Sequence, residues 1–263
     1  MNPFEILEPT CISFSGGRTS AYMLWRVLQA HNMSLPNDAF ICFANTGKED
    51  EATLKFVNDC AINWNVPIVW LEYISEQPKF KVVSFETASR NGEPFAEMIT
   101  KKSFLPNSVM RFCTTELKIN PISAYMKSIG YDDFQTMAGI RADESKRIVK
   151  LRESLLSPLA QDGITQTDVQ NFWKNNTFDL GIEFRNKVTP LGNCDLCFMK
   201  GYHQLQSIIQ QHPQKALWWE EQEKRINGRF SKDRPSYSEM MKFGKNQIDM
   251  FSDDETIACF CGD

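Results

Sequence analysis

Apolar positions in the first half of the chain fall into short continuous runs, separated by stretches of helical periodicity. Thr10–Phe14 is one run and stops at Ser15-Gly16-Gly17. Asp38–Ala44, with Ala39, Phe40, Ile41, Cys42 and Phe43, is a second, and Pro67–Leu71 is a third. Runs without polar alternation suit strands covered on both faces, so they predict a parallel sheet. Between them, Thr19–His31 carries Tyr22, Met23, Trp25 and Leu28, and Glu51–Trp64 carries Leu54, Val57, Ala61 and Trp64, both at helical spacing. Tyr73–Asn107 is less regular and predicts a short strand around Lys81–Phe85 within a mobile segment. Leu117–Ile129 predicts a helix and Phe134–Ile140 another strand. The alternation predicts an α/β fold: a mostly parallel, twisted, Rossmann-like sheet flanked by helices.

Beyond about residue 155 the pattern changes. Asp168–Trp173, Gly201–Gln211 and Lys215–Ile226 read as helices, with Thr167 as a candidate N-cap for the first. The expected division is a sheet domain over residues 1–155 and a smaller helical, cysteine-containing region over residues 156–263.

Composition narrows the classes. The 263 residues exceed the usual single domain of roughly 100–200 residues. Apolar residues at 42% and charged residues at 24% exclude disorder and coiled-coil architecture. Lys and Arg total 29 against 33 Asp and Glu, a net charge of -4, so no pervasive basic field exists, although a local basic groove remains open. Met1–Thr10 carries Glu5 and Glu8 and lacks the features of a signal peptide, and no apolar run approaches a membrane span. A cytoplasmic protein without a membrane partner is expected. In that reducing setting the eight cysteines are core thiols, metal ligands or reactive groups rather than disulfides. Cys11, Cys42 and Cys60 lie in predicted strands and a helix and read as core.

Candidate chemistry begins at Ser15-Gly16-Gly17-Arg18-Thr19-Ser20, between the first strand and first helix. Two glycines permit a tight turn and close approach to an anion. The helix N-terminus offers unpaired N–H groups, and Ser15, Thr19, Ser20 and Arg18 add donors and charge. The bland alternative is a simple strand–helix turn. The loop matches neither the Walker nor the dinucleotide pattern. Asn45-Thr46-Gly47 follows the second strand, where doubly wound sheets place ligands, or is a helix-opening turn. Gly139-Ile140-Arg141 follows a later strand. Arg141 either meets a phosphate or sulfate or pairs with Asp143 or Glu144. Arg111 and Lys118 are anion contacts or solvated helix-end charges.

Cys194-Asp195-Leu196-Cys197 spaces two thiols for one metal or cluster, while Cys113, Cys259 and Cys261 are distant candidates to complete it. A redox dithiol is the other reading of the pair. His31, His203 and His212 form no zinc motif. Trp218 and Trp219, near Lys215, Lys224 and Arg225, are either packed helix residues or a stacking surface for nucleic acid.

Taken in order, the phosphate loop, Phe43-Ala44-Asn45-Thr46-Gly47-Lys48-Glu49, Arg111-Phe112-Cys113-Thr114-Thr115-Glu116-Leu117-Lys118 and Gly139-Ile140-Arg141-Ala142-Asp143-Glu144-Ser145 resemble one family. The loop is similar to the PP-loop of the adenine nucleotide alpha-hydrolase-like superfamily. Within it, roughly residues 10–200 resemble the phosphoadenosine phosphosulfate (PAPS) reductase family. The resemblance implies an adenine-nucleotide site (PAPS, adenylylsulfate (APS) or ATP) at Ser15–Ser20, Asn45–Gly47, Gly139 and Arg141, with anion contacts from Arg111 and Lys118. It further implies a 4Fe–4S cluster on Cys113, Cys194 and Cys197. Thr114 stands where a second adjacent cysteine is expected, leaving Cys259 or Cys261 to complete the set. In the reductase reaction Cys261 attacks sulfur, and a thioredoxin-like reductant releases sulfite. Phe260 departs from the glutamate expected before that cysteine. The alternative is an ATP-dependent adenylating sulfurtransferase, using magnesium and a sulfur donor, acting on nucleic acid or a small molecule. A third class is a non-catalytic nucleotide-binding or redox-sensing module.

Overall fold

The computed structural model describes residues 2–149, 155–184 and 189–243. Among these, six strands form one sheet: β1 (Thr10–Ser13), β2 (Ala39–Asn45), β3 (Ile68–Tyr73), β4 (Phe80–Val83), β5 (Gln135–Ala138) and β6 (Leu155–Leu156). Their spatial order is β4-β3-β2-β1-β5-β6. Neighbours run parallel except β4, which lies antiparallel to β3 at one edge. The fold is thus α/β with a mostly parallel sheet.

The continuous apolar runs are explained by cover on both faces. Ile12, Phe14, Ile41, Phe43, Trp70 and Met137 join one core with α1 (Arg18–Ala30) and α2 (Glu51–Trp64). Alternate residues Cys11, Cys42, Ala44 and Leu71 form a second core with Ile122 and Met126. The period-two alternation along each strand divides the two sets. The α2 boundaries follow from chemistry at its ends. The Asp50 carboxylate accepts the Ala52 N–H at 3.0 Å, and Asn65 closes the helix in a left-handed conformation.

The segment between β4 and β5 is more helical than the sequence predicts. It holds α3 (Glu93–Lys102) and then α4 (Phe112–Thr114), which runs through a π-helical turn at Thr115–Ile119 into α5 (Asn120–Ser128). The predicted helix Leu117–Ile129 therefore starts earlier and contains a widened turn. After β5 come α6 (Ser145–Ile148), α7 (Pro158–Gln161) and α8 (Gln166–Lys174). The α8 N-cap is Thr165 rather than Thr167, because the Asp168 carboxylate accepts both the Thr165 N–H (2.8 Å) and its hydroxyl (2.6 Å). Phe172 packs on Tyr22 and Trp25, with ring centroids 4.9 and 4.7 Å away, so α8 lies on α1.

A third core forms around Trp219, from Phe95, Met98 and Ile99 of α3 with α9 (Tyr202–Gln211), α10 (Pro213–Ile226) and α11 (Tyr237–Phe243). Trp219 is fully buried, as helix packing requires. Among the described residues, no helix is long and apolar enough to cross a membrane.

Candidate functional site

The strand order reverses between β1 and β5, which makes their carboxyl ends the switch point of the sheet. Two loops meet there. Gly16 turns the chain with φ +80°, and a Cβ at this position would stand 2.7 Å from Thr53 Cγ2. Glycine is therefore required on both conformational and steric grounds. Gly17 caps α1, and Ala21 makes the first backbone bond inside it, to the Gly17 carbonyl at 3.0 Å. The preceding helix N–H groups thus open onto the crevice end. Ser20 Oγ accepts the Ser15 N–H at 3.2 Å and lies 2.9 Å from Ser15 Oγ, which ties the loop into a closed ring.

The second loop presses directly on α1. A Cβ on Gly139 would fall 2.8 Å from Ser20 Cα, so only glycine lets the two backbones touch. Arg141 then crosses between them. It donates to Thr19 Oγ1 and to Asp143 Oδ1, both at 3.0 Å, and lies 3.9 Å from Glu144. The ion-pair reading of Arg141 is the one present here: it pairs with its acidic neighbours and reaches the first turn of α1 through Thr19. Arg18 is committed elsewhere. Its Nε donates to Asp179 Oδ1 at 2.7 Å, and its Nη2 reaches Asp179 Oδ2 and the Ile182 carbonyl. Arg18 therefore ties the Ser15–Ser20 loop to the segment after α8.

Between the sheet and α5 a cavity of about 280 Å³ opens at this point, lined by Ser15, Gly139, Thr114, Lys118, Ile122 and Arg147, among others. Its size is near the lower end for small-molecule sites. Arg147 is 5% exposed. Its Nη1 donates to Glu144 at 2.6 Å, and its Nε has no hydrogen-bond partner among the described residues. A buried guanidinium N–H beside a cavity is a ready donor for a ligand acceptor. The sequence held no signal of this, because Arg147 looks like one more charge in a polar helix.

On the other side of β1, Asn45–Gly47 is a tightly bonded turn. Asn45 Nδ2 donates to Glu72 at 2.6 Å, and Asn45 Oδ1 accepts the Gly47 N–H at 3.1 Å. Glu49, to which sequence gave no role, is the hub. Its carboxylate accepts the Thr46 N–H at 2.9 Å and the Thr46 hydroxyl, and it lies 3.9 Å from Lys118 Nζ. Thr46 Oγ1 is 3.5 Å from Cys194 Sγ. Burial and then the Glu49 charge push the Cys194 thiol well above its ordinary value, despite Lys118.

Cys113 and Cys197 border the same apolar cluster that contains Cys194. Cys194 is buried, whereas Cys113 and Cys197 are partly exposed. No group of three His, Cys, Asp or Glu among the described residues is close enough to hold a metal ion. Cys259 and Cys261 lie outside the described residues. Arg111 stands immediately before α4, half-buried. Cys11, Cys42 and Cys60 are fully buried in the cores.

No protein-family model matches the chain. It is 32% identical over 202 residues to the uncharacterized nin region protein ORF290 of Escherichia phage lambda, covering 72% of this chain and 65% of that protein. It is 30% identical over 145 residues to an uncharacterized protein of Methanocaldococcus jannaschii, covering 55% of this chain. The chain spans 65% of the first relative's length and 25% of the second's.

Proposed function

We propose that this chain binds an adenine nucleotide at the β1–β5 switch point and carries out sulfur chemistry there, as the resemblance to the PAPS reductase family implies. The observation that carries the reading is the backbone contact of Gly139 with Ser20, which brings Arg141 across the opening of α1 beside a cavity holding Lys118 and Arg147. Helix N–H groups and Arg141 favour phosphate or sulfate oxygens, and Lys118 and Arg147 add donors deeper in. The proposed reaction is reduction of PAPS or APS. The Cys261 thiolate attacks sulfur and expels AMP from APS, or adenosine 3′,5′-bisphosphate from PAPS, leaving a protein thiosulfonate; a thioredoxin-like dithiol then releases sulfite, restores the Cys261 thiol and is itself oxidised to a disulfide.

The same proposal assigns Cys113, Cys194, Cys197 and Cys259 to an iron–sulfur cluster. Such a group would supply charge and redox capacity.

The Ser15–Ser20 hydroxyl pair of an intact Ser-Gly-Gly-x-Thr-Ser loop favours a second reading. Here ATP with magnesium adenylates an acceptor, nucleic acid or small molecule, before sulfur transfer. Anaerobic turnover of the iron-reconstituted chain with PAPS, APS or ATP separates the readings. Sulfite supports reduction, AMP and pyrophosphate without sulfite support transfer, and tight binding with neither product leaves a nucleotide-binding module.

A further inference from the structure

The loop after β2 and the Cys194–Cys197 loop belong to different parts of the chain, yet they are joined at backbone and side-chain level. Glu49 and Cys194 form an isolated antiparallel bridge, and the Asp195 N–H donates to the Lys48 carbonyl at 2.7 Å. Lys48 Nζ lies 3.2 Å from Asp195 Oδ2, with the two side chains 7% and 5% exposed. The remaining Asp195 oxygen accepts Trp219 Nε1 at 2.9 Å and the Leu196 N–H at 2.7 Å. Lys48 also sits 5.1 Å from the centre of the Trp218 ring. Farther along, Lys215 Nζ donates to Asp50 Oδ2 at 2.8 Å, so α10 also holds the N-terminus of α2.

A buried, singly paired lysine and aspartate are costly to separate, because either one alone is an uncompensated charge. Two loops bolted in this way move together or not at all. Through Gly47 and Asn45 the first is continuous with Ala44, which lines the cavity at the β1–β5 switch point. Through Leu196 and Cys197 the second carries the thiols.

We propose that Lys48 and Asp195 are positioning residues that couple occupancy of the nucleotide site to the conformation of the Cys194–Cys197 loop. The inference rests on the adenine-nucleotide reading above. Nucleotide binding tightens Asn45–Asp50, and the ion pair passes that tightening to the amides of Asp195, Leu196 and Cys197. The thiols are thereby presented in their working geometry only when substrate is in place.

Backbone hydrogen–deuterium exchange on the full chain, with and without magnesium ATP or PAPS, tests this residue by residue. In the wild-type chain, nucleotide should slow exchange at residues 15–21 and, about tenfold, at residues 194–197 as well. In Lys48→Met the slowing at 15–21 persists, while that at 194–197 drops below about twofold. Asp195→Asn keeps an oxygen for Trp219 and Leu196 and removes only the charge. It should show the same uncoupling and serves if Lys48→Met fails to fold. The double variant Lys48→Met/Asp195→Asn, with neither charge buried, should fold and remain uncoupled. Slowing at 15–21 without slowing at 194–197 in the wild type overturns the coupling alone. So does undiminished slowing at 194–197 in the variants. No slowing at 15–21 with either nucleotide overturns the nucleotide reading, and the coupling falls with it.

Discussion

Replacing Gly139 with alanine tests the geometry on which the site depends. The added methyl would stand 2.8 Å from Ser20 Cα and 3.0 Å from Ser20 N. Carbon atoms rest about 3.5–4.0 Å apart, so the loop after β5 and the start of α1 must separate by roughly 0.7–1.2 Å. Both partners are backbone, and neither can swing aside as a side-chain tip would. Overpacking of this kind costs about 1–3 kcal/mol. For a chain of this size that corresponds to a fall in Tm of roughly 2–10 °C. The same displacement stretches the Arg141–Thr19 bond, now 3.0 Å, beyond hydrogen-bonding range. With Arg141 no longer held at the opening of α1, its proposed charge-assisted contact to the nucleotide, worth about 1.5–3 kcal/mol, is lost, so affinity should fall roughly tenfold to a hundredfold. Urea unfolding and equilibrium dialysis with ATP and PAPS measure the two effects separately. Unchanged stability would refute the contact. Lowered stability with wild-type affinity would refute the role of Arg141 in binding.

Three further outcomes are expected. Burial alone pushes the Asp179 carboxyl up, but the Arg18 hydrogen bond and charge outweigh it and hold the folded value below the ordinary one. Stability from this pair is therefore present above the unfolded value, about 3.9, and is lost as pH falls through the folded one. The stability difference between wild type and Arg18→Met should be constant from pH 6 to 8 and shrink below about pH 4; a gap that persists in acid would contradict the pairing. Arg147→Met should lower kcat/KM for the nucleotide tenfold or more, since it removes the buried donor beside the cavity, and wild-type kinetics would remove Arg147 from the site. Cys194→Ser and Cys197→Ser should each cut iron and acid-labile sulfide by at least half, and full content in both would release these thiols from any cluster.

The sheet was legible because its signal is local. The runs at 10–14 and 38–44 have no polar alternation, and the structure covers both faces of those strands. α2 was readable to its ends, since Asp50 and Asn65 stop it chemically. α3 was missed within Tyr73–Asn107, although Pro94 at its start and Phe95, Met98 and Ile99 at helical spacing could have marked it. Its apolar face is matched by Trp219 and Phe230, far along the chain, and not by neighbours in sequence. At the site, Gly16 was legible as a turn residue, whereas Gly139 was singled out only for its place after a strand, and its close approach to Ser20 emerged from the packing of the loop on α1. The partner of Arg18 was not, because Asp179 reaches it only through the docking of the segment after α8. Arg147 and the Lys48–Asp195 pair were hidden for the same reason: burial of a charge is a property of tertiary packing that no local pattern encodes.

The position of β1 also governs the order in which the crevice can form. Its pairing with β2 closes a short stretch of chain, whereas its pairing with β5 must wait for everything between them. Contacts that close long loops form late, and pairing across long separations is slow. The touching of Gly139 and Ser20 therefore belongs to the last stage of assembly, after the β1–β2–β3 half has its helices in place. A ligand that needs both loops finds no site in the earlier species. It should leave the folding rate nearly unchanged and retard unfolding, making occupancy a brake on loss of the native state.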